Sequence, residues 1–279
     1  MNTNDFGKYS LTGWRARLLN LAQTMPATWL GKRLALICRK LVLKNGPAII
    51  DSTIDQIHFR LHMRDNVSER KFLFLPQFFD VYERKLLNQH LGSNSVFVDI
   101  GANAGIYTLT AAARGAKVLA VEPNPAVLER LYFNLVANDL SEKVATVQKG
   151  VANTTGSFEL KLDPDNLGGS SLLTRNSVTK SSDTRKNAAS LTINCDLLEN
   201  ILLHAGINSI DILKIDIEGA EDQALIPFFE TASKSLYPQF FIIENSEQQW
   251  QHDLPALFES HDYQRIKRTR MNSIWQLIT

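Results

Sequence analysis

The feature that most restricts the fold of this chain is the run Val96-Phe-Val-Asp-Ile-Gly-Ala-Asn-Ala-Gly105, followed one helical segment later by Val121-Glu-Pro-Asn-Pro125. A short apolar run ends in an acid and then in glycines. A helical pattern follows, and a second apolar run again ends in an acid. Strand, tight turn and helix in this order are how parallel α/β sheets hold nucleotide-type ligands at their carboxyl edge. Gly101 and Gly105 permit a tight turn and a close approach of backbone to ligand. Glu122 is spaced to accept hydrogen bonds from both hydroxyls of a ribose. The segment also reads as a plain strand-to-helix turn, but the acid at the ribose distance favours a cofactor site.

The glycine order decides between cofactors. Asp99-Ile-Gly101-Ala-Asn103-Ala-Gly105 is not G-x-G-x-x-G, so the backbone cradle that a pyrophosphate needs is altered. A cofactor without phosphates fits better. S-adenosylmethionine has an amino-acid end, a sulfonium and an adenosine. Asp99 is placed to orient its ammonium group, and the Gly101 to Gly105 backbone to pack on its amino-acid part.

A second motif, Asp211-Ile-Leu-Lys-Ile-Asp-Ile-Glu-Gly-Ala-Glu221, places charges in an apolar strand. Alternation predicts that Lys214, Asp216 and Glu218 share one face, with Leu213, Ile215 and Ile217 on the other. Burying three charges is costly unless they pair. One reading is a Lys214–Asp216 ion pair that only caps the strand. The functional reading is a site that orients and deprotonates an acceptor hydroxyl, with Asp216 as first choice for general base and Glu218 as second. Adjacent carboxylates raise one pKa towards neutrality, which suits a base. Glu244 ends the next apolar strand, at the same expected sheet edge. It serves substrate contact or, with Asp216 and Glu218, a divalent ion. That metal remains an alternative, not the prediction. His58 and His62 are four apart but fall in a strand-like stretch, without the helical spacing of a metal pair.

Three zones organise the chain: a basic helical extension over 1–48, a strand and helix subregion over 49–95, and an α/β body over 96–279. The extension predicts amphipathic helices at Trp14 to Gln23 and Trp29 to Leu43, with Leu18, Leu19, Leu30, Leu34, Ile37, Leu41 and Val42 at helical spacing. Ile54 to Leu61 alternates like a strand or hairpin arm, and Phe78 to Leu91 predicts a helix. In the body, strands are expected at Val96 to Ile100, Lys117 to Val121, Val144 to Gln148, Ile210 to Ile217 and Gln239 to Glu244. Helices are expected at Gly105 to Arg114 and Pro125 to Ala137. Ser157 to Leu162 reads as an inserted strand and Leu191 to Asn194 as extended. Tyr263 to Arg268 and Ser273 to Ile278 form a closing antiparallel pair. Asp163 to Ser190 is polar and too long for an ordinary connection, which predicts a mobile lid. Within it, Asn166-Leu-Gly168-Gly-Ser-Ser171-Leu suits folding over a ligand as well as a plain flexible loop.

Composition narrows the setting. Cys38 and Cys195 are far apart without metal-type spacing, which argues against a disulfide framework and for a reducing compartment. No apolar run reaches the ~18 residues of a membrane span, and the start lacks the order of a signal peptide. A cytoplasmic protein is expected. The net charge of +1 hides an asymmetry: Phe6 to Ile50 holds Lys8, Arg15, Arg17, Lys32, Arg33, Arg39, Lys40 and Lys44 and no acid. With Trp14 and Trp29 beside them, these residues suit an interfacial helix at the inner face of a membrane. A helical cap on the sheet or a homodimer contact fits equally. No aromatic-basic pattern extends into the acidic body, so nucleic acid is not an expected partner.

Together these motifs resemble the FkbM family of S-adenosylmethionine-dependent methyltransferases. The resemblance runs from about Ile49 to the end of the chain. It rests on Val98-Asp-Ile-Gly-Ala-Asn-Ala-Gly-Ile-Tyr-Thr108, Val121-Glu-Pro-Asn124, Leu213-Lys-Ile-Asp-Ile-Glu-Gly-Ala-Glu221 and Ile243-Glu244, with Gly168-Gly-Ser-Ser-Leu172 and Asn272 as further matching positions. The first motif is shared by many methyltransferase families, whereas K-I-D-I-E-G-A-E is specific to this one. The resemblance implies an α/β fold with a seven-stranded Rossmann-like methyltransferase sheet, mostly parallel with the last strand antiparallel. It implies O-methylation of a sugar or natural-product hydroxyl. It implies Asp99, Gly101, Asn103, Gly105, Tyr107, Glu122 and Asn124 as cofactor residues, and Asp216, Glu218, Lys214 and Glu244 as the catalytic edge. The basic segment before Ile49 and the long polar insertion depart from the family. The expected acceptor is a small molecule, glycan or glycolipid. The competing functions are a non-catalytic module that keeps the cofactor fold and acts through partners, and an NAD-dependent dehydrogenase, which the altered glycine order disfavours.

Overall fold

The computed structural model describes residues 5–163, 166–169, 171–173 and 190–278. The apolar runs of the body become the central strands. These are β3 (Val96–Ile100), β4 (Lys117–Val121), β5 (Val144–Val147), β10 (Ile212–Ile215) and β11 (Phe240–Glu244), numbered along the chain. With β12 (Tyr263–Arg268) and β13 (Asn272–Leu277) they form one seven-stranded sheet in the order β12-β13-β11-β10-β3-β4-β5. β13 runs antiparallel to both its neighbours, while the joins from β11 to β5 are parallel. This is the predicted seven-stranded α/β architecture.

Strand alternation gives the sheet two cores. Phe97, Val118, Ile212, Phe240, Ile242 and Ile274 face one side. Val98, Leu119, Leu213, Phe241, Ile243 and Trp275 face the other, under α7 (Leu198–His204), α8 (Glu221–Thr231) and α9 (Leu254–Ser260). Strands buried on both faces read as continuous apolar runs, which is why they stand out in the sequence. From β3 the chain moves outward through β4 to β5, then returns to β10 on the other side of β3. The carboxyl ends of β3 and β10 therefore flank the topological switch point, where α/β sheets bind ligands.

A second, four-stranded sheet joins β6 (Gly150–Val151), β9 (Ser190–Asp196), β7 (Gly156–Lys161) and β8 (Ser171–Leu173) in that order. It holds the expected inserted strand. The rest of the anticipated lid, residues 164–165, 170 and 174–189, lies outside the described residues.

Two local expectations need correction. The Ile54 to Leu61 stretch is not one strand. Asp55 and Gln56 adopt left-handed backbone, with φ of 51° and 67°, and turn β1 (Ile49–Ile54) back into β2 (Ile57–His62). Left-handed φ at both central residues is the two-residue turn that matches strand twist. The helix before the glycine motif is α4 (Val81–His90), shorter than expected, and α3 (Val67–Phe74) precedes it unannounced. Asn66 starts α3 by accepting from the Glu69 N–H at 3.0 Å, a cap that the polar surroundings disguise.

The extension adds which side of its helices packs. The helices α1 (Gly13–Thr24) and α2 (Trp29–Leu43) form as expected. The buried face of α2, however, is Gly31, Ala35, Cys38 and Val42, not its leucine row. Small residues let α2 pack closely: a Cβ on Gly31 would lie 2.1 Å from the Pro26 carbonyl oxygen. Leu30, Leu34, Ile37 and Leu41 point outward. Leu19, Ala22, Ala35 and Val42 share one continuous core with Phe59, Leu73 and the sheet.

Candidate active site

The carboxyl ends of β3, β4, β10 and β11 open onto a cavity of about 310 Å³, at the lower end of the range for small-molecule pockets. Of the expected residues, Gly101, Asn103, Tyr107, Glu122, Lys214, Asp216, Glu218 and Glu244 line it. Asp99, Gly105 and Asn124 sit behind that wall. The two motifs, about a hundred residues apart in the chain, thus meet across one space because β3 and β10 are neighbours.

The β3–β4 side is built by backbone. Glu122 is buried, and its carboxylate accepts from the N–H of Asn103 at 3.0 Å and of Asn124 at 2.9 Å, one on each oxygen. Burial still pushes its pKa up to about 7, against those two donors. Each oxygen keeps capacity for one more hydrogen bond, as two vicinal hydroxyls require. Asn103 holds left-handed backbone at φ 52°. Its Oδ1 accepts from Asn66 Nδ2 at 2.8 Å and from the Ala104 N–H at 2.8 Å.

The glycines act on protein as much as on ligand. A Cβ on Gly101, at φ 75°, would lie 2.0 Å from the carbonyl oxygen of Asp216. On Gly105, at φ 88°, it would strike Leu131 and Leu109. Gly105 thus admits close packing of α6 (Pro125–Val136) beside α5 (Ile106–Ala113), both of which follow the motif strands. Asn124 caps α6 through Oδ1 at 3.1 Å, and its Nδ2 is buried without a partner among the described residues.

The β10–β11 side is built by charge. Lys214 pairs in register with Asp99 across β10 and β3. Its ammonium sits 3.2 Å from Asp216 and 3.8 Å from Asp99. Burial opposes this charge, but Asp216 and Asp99 outweigh it and hold the Lys214 pKa above the usual value. Burial raises the Asp99 pKa. Its Oδ2 accepts from Thr108 at 2.7 Å, while Oδ1 has no hydrogen bond among the described residues.

The strand itself ends earlier than expected, at Ile215. Asp216 and Glu218 therefore lie on the turn beyond β10, and Glu218 takes left-handed backbone at φ 58°. Alternation brings Asp216 to Lys214, but it does not carry Glu218 to its place. Glu221 does. Its Oε1 accepts from the N–H of Ile217 at 3.0 Å and of Gly219 at 3.2 Å, and its Oε2 from Trp250 Nε1 at 2.7 Å. A non-glycine residue held in this conformation is the kind of strain that clusters at functional sites. Burial, then the charges of Asp216 and Glu244, push Glu218 up to about 8. Burial and Asp216 push Glu244 up to about 7, although Ser246 donates to it at 2.9 Å.

Several lining residues were not anticipated. Asp80, at φ 40°, accepts from the Tyr107 hydroxyl at 3.0 Å and lies 3.5 Å from Lys71 Nζ. The Tyr107 ring lies 5.1 Å from Lys214 Nζ. Asn166 and Leu167 close one flank, held to the start of α3 by Asn166 Oδ1 to the Val67 N–H at 3.2 Å and the Leu167 N–H to the Asp65 carbonyl at 2.7 Å. Met271 and Asn272 come from the turn into β13. Of these, Asn166 and Leu167 belong to the segment expected to fold over a ligand and Asn272 to the family resemblance, whereas Asp80, Lys71 and Met271 carried no signal. Among the described residues, no three His, Cys, Asp or Glu side chains are grouped to hold a metal ion. Cys38 and Cys195 are buried and free, and neither lines this cavity.

A sequence model described as a methyltransferase FkbM domain matches residues 99–265. The methyltransferase sdnD of Sordaria araneosa is 30% identical over 158 residues, which cover 49% of this chain and 61% of that protein. The AMB antimetabolite synthetase AmbE of Pseudomonas aeruginosa is 26% identical over 196 residues, covering 60% of this chain and 9% of that protein. The chain thus spans less than two thirds of either relative. Among solved structures, the methyltransferase FkbM of Methylobacillus flagellatus KT overlaps with a TM-score of 0.43 at 15% identity, over 77% of this chain and 56% of that one. A SAM-dependent methyltransferase of Agrobacterium tumefaciens gives 0.46 at 9% identity, over 84% of this chain and 70% of that one.

Proposed function

This chain belongs to the FkbM methyltransferase family, and from that premise we propose that it transfers a methyl group from S-adenosylmethionine to a hydroxyl of a saccharide-containing or similar natural-product acceptor. The observation that carries the reading is Glu122. Its buried carboxylate lies on the cavity wall with one backbone N–H fixed to each oxygen and acceptor capacity left for a ribose diol. S-adenosylmethionine, when bound, supplies an electrophilic methyl group on a positive sulfonium.

The chain's own residues supply the rest. The turn at Gly101 to Asn103 offers backbone to the cofactor. Asp216, Glu218 and Glu244 offer carboxyl oxygens to the other side of the cavity, which suits a substrate rich in hydroxyls. A hydroxyl must lose its proton as its oxygen takes up the methyl group. Glu218, with a pKa near 8, accepts that proton. Asp216, beside the Lys214 ammonium, orients the acceptor. Positioning the acceptor oxygen in line with the methyl group supplies much of the rate.

Calorimetric titration with S-adenosylhomocysteine tests the reading. Wild-type protein is expected to bind in the micromolar range, and Glu122→Ala to lose roughly ten- to hundredfold, the effect of hydrogen bonds to a charged acceptor. Folded wild-type protein that binds no S-adenosylhomocysteine would replace the enzyme reading with that of a non-catalytic module acting through partners.

A further inference from the structure

We infer that the outer face of α2 is a docking surface for an anionic phospholipid bilayer. Leu30, Leu34, Ile37 and Leu41 recur every three to four residues and form one stripe, with Leu30 59% and Ile37 55% exposed. The stripe spans about 17 Å at 1.5 Å per residue. Among the described residues nothing covers it, and the packed face of the helix is Gly31, Ala35, Cys38 and Val42. An apolar row of this length on an exposed helix marks an interaction site.

Charge selects the occupant. Arg33, Lys40 and Lys44 are exposed and lie within a quarter turn of the stripe at helical spacing. No acid occurs between Phe6 and Ile50. Trp29 is 69% exposed, with the Arg33 guanidinium 4.3 Å from its ring centre. The neighbouring α1 repeats the pattern, with exposed Trp14 carrying Arg15 at 4.8 Å and with Arg17 beside exposed Leu21. Leucines on one side, lysines and arginines on the next and tryptophans near the boundary are the composition of a helix that lies in the headgroup region. Anionic headgroups complement this face. A second copy of the chain docked face to face would bring cations together with no acid to meet them. Among the described residues no helix is long and apolar enough to cross a membrane, so contact through this face is peripheral.

The surface does not depend on the catalytic reading, and neither does its test, which measures flotation of the full chain with vesicles rather than methyl transfer. Vesicles of phosphatidylcholine alone and of equal parts phosphatidylcholine and phosphatidylglycerol are compared. The wild type is expected to float with the mixed vesicles only, and to be released at high salt. Leu34→Ser with Ile37→Ser removes the stripe. Arg33→Gln with Lys40→Gln and Lys44→Gln removes the charge. Each set should lower the bound fraction about tenfold, and because every substituted side chain is exposed, thermal melting should be unchanged. Deleting residues 1–48 is the poorer test, because it strips Ala22, Ala35 and Val42 from the core. Failure of the wild type to float, or variants that float as well as it does, overturns the inference. Concentration-dependent dimerisation without flotation, abolished by the serine pair, overturns it in favour of a second copy.

Discussion

Glu122 and Glu218 line one cavity from its two sides, and burial raises the pKa of both, but their neighbours differ. Glu122 has a backbone N–H on each oxygen, supplied by residues within about a helical motif of its own position in the fold. Glu218 has Asp216 and Glu244 for neighbours, and its backbone is bent into the left-handed region by donors that bond Glu221 instead. A carboxylate braced by fixed dipoles is a binding anchor, since nothing in its surroundings needs to change. A carboxylate crowded by like charges gains from taking up a proton, which is what a general base does. On the proposed reading, the difference gives holding to the β3–β4 edge and proton transfer to the turn after β10.

The sharpest break of this contrast is Glu218→Gln. It keeps the shape of the side chain and removes the base. The rate of methyl transfer to a hydroxyl acceptor should fall about 10² to 10⁴-fold, roughly 3–5 kcal/mol in barrier, while S-adenosylhomocysteine affinity stays within about threefold. The pH profile carries the same sign. Glu218 is active as the carboxylate, so the wild-type rate should climb with pH and level off above about 8. A rate limb that survives Glu218→Gln but vanishes in Asp216→Asn would move the base to Asp216.

The two edges touch at Gly101, whose missing Cβ leaves room for the Asp216 carbonyl. Gly101→Ala forces a left-handed alanine against backbone that cannot swing away. We expect a loss of about 3 kcal/mol in stability, read as a lowered denaturation midpoint, together with weaker cofactor binding and slower transfer. Gly105→Ala meets leucine side chains instead. It should cost less stability and leave the rate per folded molecule nearly unchanged. Equal damage to catalysis from both would mean that Gly101 serves packing alone.

The strand-turn-helix edge was legible because its parts are contiguous. Asp99 to Gly105 and Glu122 fall on neighbouring strands joined by one helix, and strands buried on both faces are plain apolar runs. Lys214 beside Asp216 was legible too, by alternation. Glu218 was named for a wrong reason, since the strand stops at Ile215 and Glu221 bends the turn. Asp80 and Lys71 reach the cavity from outside the central strands. Nothing local distinguishes them from surface residues, because tertiary packing alone brings them in. The packed side of α2 was hidden in the same way. Helical spacing reports that a face is apolar, not which side the core lies on, and there the small residues Gly31, Ala35 and Cys38 mark the packed side.

One residue from that unannounced region braces the anchoring edge. Asn66 is fully buried, caps α3 through Oδ1 and donates from Nδ2 to Oδ1 of Asn103, the residue whose backbone N–H holds Glu122. Asn66→Ala removes both contacts and should cost about 1–2 kcal/mol of stability. Asn66→Asp keeps an acceptor for the cap but replaces the donor facing Asn103 with an oxygen. If Asn66 serves the cofactor edge, Asn66→Asp should retain most of the stability and still lower S-adenosylhomocysteine affinity about threefold to tenfold in calorimetry. The base after β10 lies on the other edge, so the pH at which the rate levels off should stay put in this variant. A shift of that pH in Asn66→Asp would join the two edges into one coupled unit and remove the division between holding and proton transfer.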